Sequence, residues 1–131
     1  MHRNRKLAVL ALMTSLYLLA GCAARPLHPG AANSFDSNAY DSLLVTHQVI
    51  ESTKTQLSTS AGFPASIAPN VRTALDYLID SYNVAQGAYM VYHQAAMNGV
   101  ATQAQADKVS TTLADVSAKT QALTAAKNGK P

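Results

Sequence analysis

An all-α fold, an antiparallel up-down-up three-helix bundle after a signal peptide and a flexible tether, is what this sequence predicts. Three observations carry it. Apolar residues recur at alternating steps of three and four over three long stretches, the stretches are separated by short Gly- and Pro-bearing breaks, and strand-like alternation is missing. Short connections between long helices favour antiparallel neighbours. The chain has 131 residues, enough for one domain.

Helix one is expected from about Asn38 to Leu57. Asp36, Ser37 and Asn38 are competent N-caps, and Asp41 adds a first-turn acid. Tyr40, Leu44, His47, Ile50, Lys54 and Leu57 form its expected stripe, widened by Leu43 and Val49, and Ala61-Gly62-Phe63-Pro64 stops it. Helix two is expected from about Asn70 to Asn98. Val71, Leu75, Leu78, Tyr82, Ala85, Tyr89, Tyr92 and Ala96 keep the three–four step. A second apolar or small line beside it gives a face broad enough for two neighbours. Asn98-Gly99 is a stop signal. Helix three is expected from Gln103 to Lys127, with Thr102 and Gln105 as a capping box and a thin stripe through Val109, Leu113, Val116 and Leu123. That thin stripe leaves room for self-association, although intrachain bundling is favoured by the short 98–102 connection. Residues 128–131 are read as a frayed C-terminus.

Ahead of the bundle, residues 2–6 are basic and residues 7–20 are apolar. A run of that length is short for a membrane span, which needs about 20 residues, and the order of regions is that of a signal peptide over 1–21. Three of the ten basic residues, Arg3, Arg5 and Lys6, lie in this leader. From Cys22 onward seven bases face seven acids. The +3 of the whole chain therefore belongs to the leader, and no basic face for nucleic acid remains. Residues 22–37, interrupted by Pro26, Pro29 and Gly30, are read as a tether, with the bundle at 38–127.

The apolar run ends in Leu19-Ala20-Gly21-Cys22, which resembles the lipobox of bacterial lipoproteins. The resemblance implies cleavage between Gly21 and Cys22, a diacylglyceryl group on the Cys22 sulfur and an N-acyl chain on the new terminus. Small residues admit the protease, the thiol is the nucleophile for thioether formation, and several acyl chains anchor where one does not. Localisation is then a cell membrane, by lipid anchor. Ala23 stands where Asp would retain such a protein at the inner membrane of enteric bacteria, so a two-membraned cell would carry it on the outer membrane, facing the periplasm.

Catalytic chemistry has no motif here. Cys22 is the single cysteine, Gly-x-Ser-x-Gly is missing, and His28, His47 and His93 show no metal-ligand spacing, so no enzyme, metal or further cofactor is expected. His47 is expected partly buried on helix one. Tyr82, Tyr89 and Tyr92 are expected in the core, and Tyr77, off the stripe, as an exposed interaction residue. The function expected is a structural or protein-interaction module with an envelope protein partner. An apolar-ligand carrier, its ligand between helices one and two near His47 and Tyr82, is the alternative. Braun-type lipoproteins, lipidated helical rods joined to peptidoglycan through a terminal Lys, are also similar, but here Pro131 follows Lys130. The motifs His28-Pro29-Gly30-Ala31, Phe35-Asp36-Ser37 and Tyr40-Asp41 resemble small bacterial envelope lipoproteins, a likeness that implies no activity.

Overall fold

A computed structural model describes residues 26–59 and 61–130. The leader and Cys22 lie outside the described residues. The described chain is three helices: α1 (Ser34–Ser58), α2 (Ala68–Met97) and α3 (Gln103–Lys127). Strands are absent among the described residues. The helices form the expected bundle, with α2 packing on both neighbours and most extensively on α3. At 1.5 Å per residue α2 is about 45 Å long.

α1 starts four residues earlier than the sequence suggests. Its cap is Asn33, whose side chain accepts from the Asp36 N–H at 2.9 Å. Asp36 and Ser37, read as caps on a tether, are helical and buried. The preceding residues also belong to the fold. The His28 N–H donates to Ser37 Oγ at 2.7 Å, and the His28 ring lies 3.9 Å from that of Tyr40. The part of the expected tether that is described is thus folded back on α1.

The buried face of α1 also differs from the expected one. It runs through Asp36, Ala39, Leu43, Thr46, Ile50 and Thr53, while Leu44, His47 and Lys54 are exposed. Hydroxyl chemistry explains the rotation. Thr46 donates to the Ser42 carbonyl at 2.9 Å and Thr53 to the Val49 carbonyl at 2.7 Å. With each hydroxyl satisfied by its own helix, threonine can turn its methyl group to the core.

α2 follows its expected stripe: Val71, Leu75, Leu78, Ala85, Tyr89 and Tyr92 are buried, and Tyr82 is half-buried. α3 contributes Val109, Val116 and Leu123 at intervals of two turns, with Leu113 packed against them. Its stripe is as thin as the sequence indicates. Ser81 on α2 donates to the Asp115 carboxylate on α3, a polar tie between the two helices.

The breaks are specific. Gly62 approaches the end of α1 so closely that a Cβ there would sit 1.6 Å from the Gln56 carbonyl oxygen. Any side chain would force the α1–α2 corner open. At the other corner Gly99 takes φ +70, and the Val100 and Gly99 N–H groups close α2 on the Ala95 and Ala96 carbonyls. The Thr102–Gln105 capping box then opens α3. Residues 128–130, expected to fray, instead close α3: the Gly129 and Lys130 N–H groups bond to the Ala126 and Ala125 carbonyls, each at 3.0 Å.

Candidate functional site

The densest polar construction in the domain lies where α1 begins and α2 ends. Asn33 is the N-cap of α1 and Asp36 lies in its first turn, and Tyr89, Tyr92 and His93 come from the last turns of α2. Antiparallel packing brings together groups far apart in the chain. His93 Nδ1 lies 2.8 Å and 3.0 Å from the two Asp36 carboxylate oxygens. One of those oxygens also accepts the Ala32 N–H at 2.8 Å. Asn33 Nδ2 donates to the Tyr92 hydroxyl at 3.1 Å.

Burial is uneven across the pair. The Asp36 side chain is fully buried, whereas that of His93 is 31% exposed. The Tyr89 ring stacks on His93 with centroids 5.5 Å apart, and Phe35 meets Tyr92 edge to face at 5.0 Å. Among the described residues every buried side-chain nitrogen and oxygen has a hydrogen-bond partner. A buried carboxylate satisfied from several sides rigidifies its surroundings.

No family model, curated protein or solved structure matches this chain. The site is therefore read from its own geometry. An aspartate holding a histidine Nδ1 is the arrangement that orients a general base, and nucleophilic catalysis adds a hydroxyl or thiol on the far side of the ring. The surface groove beside His93 is lined by Met90, Val91, Gln94, Met97 and Asn98, none of which supplies one. Among the described residues no group of three or more His, Cys, Asp or Glu side chains is placed to hold a metal ion. What this geometry does is fasten the start of α1 to the end of α2.

Burial, and then the negative charge of Asp36, push the Tyr89 hydroxyl up to about 12 from its ordinary 10.0. The folded state thus holds this proton more tightly than the unfolded chain does. The stability it contributes is complete below pH 10 and is lost as the pH rises towards 12. The stability of wild type relative to Tyr89→Phe is expected to be constant below pH 10 and to fall above it. Denaturant melts of both proteins across that range check this.

The remaining sequence-derived residues are dispersed. Cys22 and Gly21 lie outside the described residues. Tyr77 is 58% exposed on α2, with Lys119 Nζ 5.7 Å from its ring centroid. His47 and Tyr82 do face each other, with ring centroids 6.0 Å apart. They line a surface groove with Tyr40, Leu44, Gln86 and Met90. Sequence reasoning missed the Asp36–His93 pair. The available signal was the line Asp36, Ala39, Leu43, Thr46, Ile50, which keeps the three–four step but passes through polar residues.

Proposed function

We propose that this chain is a lipid-anchored envelope protein whose helical domain is a structural or protein-interaction module, without catalytic activity of its own. The observation that carries the reading is the order of basic leader, short apolar run and Leu19-Ala20-Gly21-Cys22, only four residues ahead of Pro26, where the described domain begins. The proposed location is a membrane surface, the outer membrane facing the periplasm in a two-membraned cell. No helix among the described residues is long and apolar enough to cross a membrane. A three-helix rod whose Asp36–His93 pair is engaged in holding α1 on α2 supports attachment and contact as its role. The apolar-ligand carrier ranks second, because its residues line an open groove and not an enclosed chamber. The peptidoglycan-linked reading ranks third.

Metabolic labelling with a fatty-acid analogue tests the anchor. Wild type is expected to take up label and stay with membranes at high salt, and Cys22→Ala to remain unlabelled and uncleaved or soluble. Wild-type protein that takes no label and washes off would remove the proposal. Tyr77 is the proposed contact residue. Tyr77→Ala is expected to leave the melting temperature within a few degrees of wild type and to weaken crosslinking to the envelope partner. A large fall in melting temperature would show the ring to be structural.

A further inference from the structure

Charge is distributed along this bundle in a way that composition conceals. Residues 81–106, the second half of α2, its connection and the start of α3, contain no Asp, Glu, Lys or Arg. Neither do residues 26–35, which enter α1. Antiparallel packing puts both stretches at one end of the molecule, because Asn33 and Asp36 are bonded to Tyr92 and His93. The other end carries Lys54, Arg72, Lys127 and Lys130.

The Asp36 carboxylate at this tip is buried, and the surface there is apolar. Met97 is 57% exposed and Val100 is 66% exposed, at the connection itself. Met90 and Leu27 are exposed on the flanks. The polar backbone there is largely spoken for, since the last carbonyls of α2 accept the Gly99 and Val100 N–H groups. His93 is held inward by Asp36. An exposed apolar patch without charges, on a domain this small, marks a contact surface.

Chain length decides what the contact is. Three residues, Ala23, Ala24 and Arg25, separate Cys22 from Pro26, a span of at most about 14 Å over the four steps. His28 is pinned beside Ser37 and Tyr40, and the Tyr40 and Tyr89 rings face each other. From Tyr89 to Met97 along α2 is about 12 Å. A lipid on Cys22 therefore reaches the level of the Met97–Val100 tip with nothing to spare for a long stalk.

We propose that this end, whose exposed tip bears no charged side chain and whose Asp36 is buried, rests in the headgroup region of the membrane, with Met97 and Val100 inserted and Leu27 beside the anchor, so that the bundle is held against the bilayer. The inference rests on the lipid anchor proposed for Cys22. A lipid surface is the favoured occupant over a second copy of the chain, because the anchor places this end, and not the charged one, at the bilayer. Buried apolar side chains add to acyl anchoring, and charged ones would oppose it.

The test uses the full lipidated protein in vesicles of phosphatidylethanolamine and phosphatidylglycerol. With Cys22 acylated, Val100→Cys offers one free thiol at the tip, and Ser66→Cys offers one on the exposed α1–α2 connection. Each is labelled with an environment-sensitive fluorophore. The Val100 label is expected to shift to the blue and to be quenched several-fold more than the Ser66 label by lipids carrying a spin label. Adding Met97→Lys to the Val100→Cys protein is expected to reduce that quenching while leaving helix content unchanged. Equal quenching at the two positions, with acylation and flotation intact, overturns the inference alone. A blue shift without lipid quenching, with Val100→Cys copies crosslinking to one another, assigns the face to a second copy and also overturns it. Loss of acylation or flotation in the unsubstituted protein overturns the anchor and the inference together.

Discussion

Asp36→Ala is expected to cost the domain about 3 kcal/mol. A hydrogen bond to a charged group contributes roughly 1.5–3 kcal/mol. The lower end applies to each bond lost here, because His93 is 31% exposed and water can take over part of its bonding. The Ala32 N–H and the Nδ1 of His93 both lose their acceptor. In a domain of this size that loss lowers the melting temperature by roughly 12–24 °C. Asp36→Asn separates charge from hydrogen bonding, since its amide oxygen still accepts the Ala32 N–H. It is expected to fall between wild type and Asp36→Ala. The Tyr89 hydroxyl supplies a second readout: without the carboxylate its titration moves from about 12 back towards 10.0. Thermal melts and phenolate absorbance measure the two effects. An Asp36→Ala protein that melts within a few degrees of wild type would show the pair to be incidental.

Leu78→Asp is expected to unfold the domain outright. Leu78 is fully buried in α2, on the face that serves both α1 and α3. Truncating such a leucine costs about 2–5 kcal/mol. An unpaired carboxylate in its place adds several more, because neither neighbouring helix offers a buried cation there. The sum approaches the whole stability of a small domain, about 5–15 kcal/mol. Leu78→Ala is the graded control and is expected to stay folded with a lowered melt. Circular dichroism distinguishes the two, and a cooperative, near-native melt for Leu78→Asp would contradict the core assignment.

Helix number, connections and the buried line of α2 were legible in the sequence, because Val71, Leu75, Leu78, Ala85 and Tyr89 signal burial by their own hydrophobicity. The face of α1 was not. Its true line includes Asp36, Thr46 and Thr53, which become compatible with a core only through hydrogen bonds to His93, Ser42 and Val49. A hydropathy stripe placed instead on Tyr40, Leu44 and His47 lands one position away. The start of α1 was misplaced for a related reason. Asp36 and Ser37 look like caps, and only the distant partners Tyr92 and His93 show why Asn33 holds that place. The pairing behind the site is long-range, and no local spacing encodes it.

The same pairing bears on the order of events during synthesis. α2 and α3 are joined by a short connection and can zip together by local contacts, with little loop entropy to overcome. α1 has no such neighbour when it leaves the ribosome. Its fastening partners arrive 57 and 59 residues later, in His93 and Tyr92. The helix made first is thus the one secured late, and until the end of α2 exists Asn33 and Asp36 are without Tyr92 and His93. Nascent chain shorter than that carries α1 unfastened.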